Sequence, residues 1–351
     1  MEAGNKFLKS AALILALAGL FALFGVYCGT ARAAELPRMP KAYNVSTLGV
    51  TDATLSAWEA RTDNDLVSAQ RGEILVVPVG FLDQGGVVLG GATTSADYFR
   101  IVMCDPGREM ECGFVWTDTG AAGVIGIGED YSGIYGIAAS KPNGAASSGI
   151  PAIYVQTTYT GSTAWIANCL AFDVHNATAG ATAVGIGFLS HRGNAVVNCI
   201  AKNITGASGG VGFFDYPTGA SAGVYYNDLA TGCSYGFLAY STAPVGKNSI
   251  GIDNTANWAG VDGGAWTLTA CLDGGTINFV DAPNGNFRLT GVADDALNQG
   301  VNLSADAVFP FAADADRGAR PIDTWDIGPY EYGAIIYPVQ LHRDAQVFFF
   351  W

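Results

Sequence analysis

The chain reads as an all-β protein: a right-handed parallel β-helix, a solenoid with an N-terminal cap and a C-terminal extension. Three observations predict it. Charged residues make up only 14% of the 351 residues while glycine reaches 47, and Thr, Val, Ile, Tyr and Asn are plentiful. That mixture suits short strands joined by tight turns rather than helices, and the glycines keep no three-residue period, which excludes collagen. Two strand motifs recur in alternating order along the centre of the chain. Both ends then change character, as the ends of a stack must.

The elements follow in order. Residues 1–33 read as a signal peptide: Lys6 and Lys9 precede an apolar run from Ala11 to Tyr27, and Ala31-Arg32-Ala33 supplies a small-x-small site with cleavage after Ala33. An uncleaved membrane anchor is the alternative, since the run is near the lower length for a bilayer span. Tyr27 before Cys28 argues against a lipoprotein site, which needs a small residue there. The expected location is therefore secreted or at the cell surface.

Residues 34–70 are assigned to a linker and the N-terminal cap. Within them Leu55 to Gln70 has helical character, with Leu55, Trp58, Leu66 and Val67 on one apolar face and a turn at Asp63-Asn64-Asp65. Glu73 to Val79 reads as the first strand, and residues 71–290 are assigned to the coils.

Within the coils, Asn168-Cys169 and Asn198-Cys199 sit in similar strands 30 residues apart, and Asn227-Asp228 follows 29 residues later. A glycine–aromatic strand recurs as Gly185-Ile186-Gly187-Phe188, Gly210-Val211-Gly212-Phe213 and Ser234-Tyr235-Gly236-Phe237; Gly133 to Ile137 reads as an earlier relative. One such coil cannot bury its apolar side alone, so copies stack, roughly 4.8 Å apart, and equivalent residues lie on one another. The expected ladders are Cys169 over Cys199, Phe188 over Phe213, and an amide ladder of Asn168, Asn198 and Asn227 at a bend. Cys104 and Cys112 are close enough to bridge across a loop in an exported protein.

The final segment, 291–351, is assigned to closure and an aromatic tail. Phe279, Asp281, Phe287 and Leu289, then Ala296, Asn298 and Gly300, then Asp314 to Pro321 and Asp326-Ile327-Gly328-Pro329-Tyr330-Glu331 resemble the closing motifs of right-handed parallel β-helix repeat proteins of the pectate-lyase-like superfamily. Pro329 replaces the usual alanine of the last motif, and Leu55-Ser56-Ala57-Trp58-Glu59-Ala60 resembles the front of the same group. The resemblance covers about residues 45 to 333 and implies the fold. It implies no single activity, because the group mixes polysaccharide-active enzymes, adhesins, phage proteins and members of unknown role. Phe348, Phe349, Phe350 and Trp351 would pack on the end of the helix or mediate self-association.

The net charge of −14 and the lack of a basic cluster exclude nucleic acid as a partner. They also disfavour polyanions such as pectate or alginate unless calcium bridges the two. No triad, phosphate loop, CxxC pair or histidine cluster is present, so no cofactor is expected. Calcium has weak support from the alternating Asp314, Asp316, Asp323 and Asp326, which fail the EF-hand pattern and read as turns paired with Arg317 or Arg320.

Aligning Phe188, Phe213 and Phe237 brings His191, Tyr216 and Tyr240 into an outward stripe, with Asp215 beside it and Arg192 at one end. Aromatic rings in a row suit stacking on sugars, and these five residues are the glycan-binding candidates. The leading expectation is a surface- or particle-associated structural or binding protein contacting a polysaccharide or cell-surface glycan. One alternative is a polysaccharide lyase or glycoside hydrolase. A hydrolase would need a carboxylate pair drawn from Asp173, Asp215 and Asp228, and a lyase would need Lys202 or Arg192 near acids. Another alternative is a trimeric phage or viral tail component.

Overall fold

A computed structural model describes residues 38–156, 160–180, 183–216, 222–240, 242–292 and 294–336. The predicted signal peptide and the aromatic tail lie outside the described residues. Three long sheets run the length of the molecule, and within each every strand pairs in parallel with its counterpart one coil away. The first sheet has nine strands, the second eight and the third seven. The chain visits them in that order and repeats. Gly133–Tyr135 leads to Ile137–Ser140 and Ile150–Val155, then Trp165–Ala167 to Leu170–Phe172 and Gly185–Ser190. The next coils start at Ala195–Val197, Val224–Tyr226 and Val245–Lys247. Parallel strands need a crossover, and such crossovers are right-handed almost without exception. The architecture is the parallel β-helix expected.

The register matches the repeats. Ala195 faces Trp165 and Val224, while Phe188, Phe213 and Phe237 align in the third sheet. Their rings form an internal column, with centroids 4.9 and 4.7 Å apart and planes tilted by only 8°. Trp258 extends the column at 4.0 Å. One reading needs correction. Gly133 to Tyr135 is not a glycine–aromatic relative of the third sheet; it pairs with Trp165–Ala167 in the first. Gly133 is glycine because a Cβ there would strike the Trp165 ring at 2.2 Å.

The corner between the first and second sheets is built from one left-handed residue. Asn168, Asn198, Asn227 and Asn248 occupy it with φ of 53–57°, a region asparagine tolerates better than most L-residues. Asn198 Nδ2 donates to Asn168 Oδ1 at 3.1 Å, and Asn168 Nδ2 to the Tyr135 hydroxyl at 2.9 Å. Asn227 continues the row and, turned with its oxygen outward, accepts from Arg320 Nη2 and Nε at 3.0 and 3.2 Å. The next residue of each corner points inward and forms a second ladder. Cys199 Sγ accepts from the Cys169 N–H, Asp228 Oδ1 from the Cys199 N–H, and Ser249 Oγ from the Asp228 N–H. Buried backbone donors that the corner frees are satisfied in this way.

The N-terminal cap consists of helices Leu55–Thr62 and Leu66–Ala69, interrupted at 63–65 as expected. Thr54 and Asp65 cap them through their side chains. Leu55, Trp58 and Leu66 are buried, but Val67 faces solvent, off the apolar face assigned to it. The segment assigned to linker and cap also contains a strand, Tyr43–Thr47, which adds to the edge of the first sheet. The first coil strand spans Gly72–Val77. Cys104 and Cys112 form a disulfide.

The C-terminal segment does not continue the coils. It turns back along the outside of the first and second sheets. Phe309, Phe311 and Trp325 pack with Tyr226, and Phe287, Leu289 and Ile327 with Ile200, Leu229 and Ile250. The amide ladder is the seam: Asn168 donates to Asp314 O and Ala315 O, Asn198 to Ala313 O, and Asn248 exchanges two bonds with Val301.

Candidate functional site

The five candidates come from the end of the third sheet, where strands Gly185–Ser190, Gly210–Asp215 and Tyr235–Tyr240 lie side by side. Ser190, Asp215 and Ala239 align as the repeats require. The structure then divides the candidates into two groups.

Tyr216 and Tyr240 form the predicted pair. Their rings stack with centroids 5.8 Å apart and planes inclined by 28°, and Tyr216 is 39% exposed. Phe214 meets Tyr216 edge-on and braces it. A hydrogen bond to Asp262 raises the pKa of the Tyr240 phenol. Asp262 is a member of this surface that the repeat alignment missed; it lies one coil further on, directly after Val261, the partner of Tyr240.

His191 and Asp215 depart from the expectation. His191 is 1% exposed, and its Nε2 donates to Gln156 O at 3.0 Å, so the end of the preceding third-sheet strand covers the ring. Burial lowers its pKa. Asp215 is fully buried rather than beside an outward stripe. Strand alternation turns it inward, where it accepts from Gly223 N at 2.8 Å, Thr242 Oγ1 at 2.6 Å and the Tyr225 hydroxyl at 3.4 Å. Burial pushes its pKa up to about 6 against the pull of those three donors. Arg192, half-buried, occupies a left-handed turn at φ 57°.

The other acids are engaged structurally. Asp173 is exposed and accepts from Asn203 Nδ2. Asp228 lies inside the coil, where burial raises its pKa from the ordinary value. Its Oδ1 serves the interior ladder as the acceptor of the Cys199 N–H. Lys202 Nζ donates to Pro283 O at 2.8 Å, tying the coils to the C-terminal segment.

Towards the end of the chain, Asp314 accepts from the N–H groups of Gly318 and Glu331, and Asp326 from those of Asn298 and Tyr332. Asp316 pairs with Arg288, while Asp323 stands exposed. Arg317 and Arg320 pair with Glu109 and Glu331 rather than with aspartates: Arg317 reaches across the fold to the loop at Glu109, and Arg320 reaches Glu331 further along the same segment. Among the described residues no group of three or more His, Cys, Asp or Glu side chains is arranged to hold a metal. None of the described helices is long and apolar enough to cross a membrane.

A buried lysine also escaped the sequence reading. Lys141 Nζ lies 3.6 Å over the Trp116 ring and 4.0 Å from Asp118, and burial lowers its pKa. Its loop carries no repeat that would have singled it out.

No protein-family model matches the chain, and no curated protein matches it. Among solved structures the chain is similar to one described as "Crystal structure of pectate lyase Pel9A", at 13% identity and a TM-score of 0.44, over 84% of this chain and 97% of that one. At that distance the likeness concerns the course of the backbone and nothing finer, so the assignment of the chain as a parallel β-helix rests on its own three sheets.

Proposed function

We propose that the chain is a binding or structural β-helix at a cell or particle surface, and that it contacts glycan through Tyr216 and Tyr240. The observation that carries this reading is the stacked, solvent-facing pair itself. Coil spacing sets the separation of the two rings, so their positions are held by the backbone rather than by side-chain freedom. Each offers an apolar face with a polar rim, the combination that suits a sugar ring. Asp215, the carboxylate nearest the pair in sequence, is committed to accepting from the Gly223 N–H and the Thr242 hydroxyl, which favours binding over acid–base chemistry.

The test is a glycan-array screen of the chain lacking residues 1–33, repeated with Tyr216→Ala and Tyr240→Ala. Any glycan retained is then incubated with the protein and assayed for new reducing ends. Binding that disappears in both variants, with no new reducing ends, supports the reading. Binding that survives both substitutions refutes the site, and release of reducing ends refutes the non-catalytic assignment.

A further inference from the structure

The two ends of the coil stack are finished differently. At the N-terminal end the helix Leu55–Thr62 covers the interior with Leu55 and Trp58. At the other end Ala256–Val261, Thr267–Thr269 and Leu272–Asp273 are the outermost strands of their sheets. The interior behind them is sealed by two tryptophans. Trp258 lies flat on Phe237, and Trp266 meets Trp258 edge-on at 5.3 Å. Their indole N–H groups bond to Leu272 O and Ala259 O, across the last coil. Among the described residues no strand pairs with the outer backbone edge of this coil, and Leu268 is 43% and Val261 36% exposed beside it.

An open edge is a template for another strand, and proteins commonly blunt such edges with lysine or proline. Here neither lies within the three edge strands, and no Lys or Arg occurs anywhere between Asn248 and Phe287, while Asp253, Asp262, Asp273 and Asp281 are all exposed. A second copy approaching end to end would bring the same carboxylates face to face, which like-charge repulsion opposes. A cationic strand meets no such barrier.

We propose that this edge is a docking site for an extended, basic peptide segment, which adds as a further strand beside Ala256–Val261 and sets its Lys or Arg side chains against Asp262 and Asp273. Main-chain hydrogen bonds supply the affinity and the carboxylates the selectivity.

The test uses a short labelled peptide alternating valine with lysine, and its valine–glutamate counterpart, titrated by fluorescence anisotropy into the full chain. The same titrations are run with a lysine peptide N-methylated at alternate backbone positions, which cannot pair along the edge, on the double variant Asp262→Lys/Asp273→Lys, and on a chain ending at residue 336. The lysine peptide is expected to bind and the glutamate and N-methylated peptides to fail. The double variant should weaken binding about tenfold, as the reversal of two complementary charges implies. Undiminished binding of the N-methylated peptide overturns the proposal, because attraction to an acidic surface would then explain it; undiminished binding to the double variant overturns it too, because the two carboxylates would then play no part. Absence of binding to the full chain also overturns it. If only the shortened chain binds, the chain's own last residues occupy the edge; if the protein sediments as a dimer that the double variant disrupts, a second copy does. Either result replaces the proposed partner.

Discussion

Asp215→Asn isolates the energetic cost of the carboxyl buried at the end of the third sheet. The amide keeps an oxygen for the Gly223 N–H, and the Thr242 hydroxyl can reverse its bond and accept from the new NH2 group. The substitution therefore removes the titration and leaves the packing. In the folded chain the carboxyl pKa rises from 3.8 to about 6, chiefly through burial. The folded state thus holds this proton more tightly than the unfolded chain. Below the unfolded value both states are protonated and Asp215 imposes no penalty. As pH rises from about 4 to about 6 the penalty develops, and above that it is complete. At about 1.4 kcal/mol per pH unit it amounts to about 3 kcal/mol.

Urea unfolding of the two proteins at pH 4 and pH 7 reads the difference directly. Asp314 and Glu331, also raised by burial to about 6 and about 7, are present in both chains and cancel. The variant should match the parent at pH 4 and exceed it by up to about 3 kcal/mol at pH 7. An equal difference at both pH values would refute the account, since titration could not then be its source. Unchanged glycan binding by the same variant would agree with a structural role for Asp215.

The internal aromatic column should be intolerant at its middle. Phe213→Ala removes the ring between Phe188 and Phe237 and should cost about 3–5 kcal/mol by urea denaturation, while Phe213→Leu should cost less. At the corner, Asn198→Gly should be milder than Asn198→Ala, because both lose the bonds to Asn168 and Ala313 but only alanine is strained at φ 54°; equal losses in thermal melts would count against backbone strain. Replacing Cys104 and Cys112 by serine opens a loop with a sequence separation of 8 and should lower stability by about 2–3 kcal/mol, measured against the parent under oxidising conditions.

Much of the fold was legible because a solenoid writes its geometry into its period. Asn168, Asn198 and Asn227 recur where the chain must enter a left-handed conformation, and the residue after each must point inward. Asn248-Ser249 belongs to the same series and escaped notice because serine replaces cysteine, although both do the same work as acceptors in the interior ladder. The stripe was less well read. Counting alternation from Phe213 puts Phe214 outward and Asp215 inward, so the burial of Asp215 was present in the pattern. The burial of His191 was not, since it depends on Gln156 from the preceding coil. The C-terminal segment was recognised by its motifs, but its path was not. Its anchor to Asn168 spans 146 residues, and no periodicity encodes such a contact.

The one-residue asparagine corner also bears on engineering. Strands of the first sheet end at Ala167, Val197, Tyr226 and Lys247, and the second sheet resumes at Leu170, Ile200, Leu229 and Ile250. That spacing is the same at all four of these corners, and the C-terminal segment is bonded along them. The connections from the third sheet back to the first, by contrast, vary freely in length, as between Val155 and Trp165 or Ser190 and Ala195. Foreign loops grafted there would project from the scaffold at heights set by the coil repeat. The corner would act as the spine that keeps each graft at its own level.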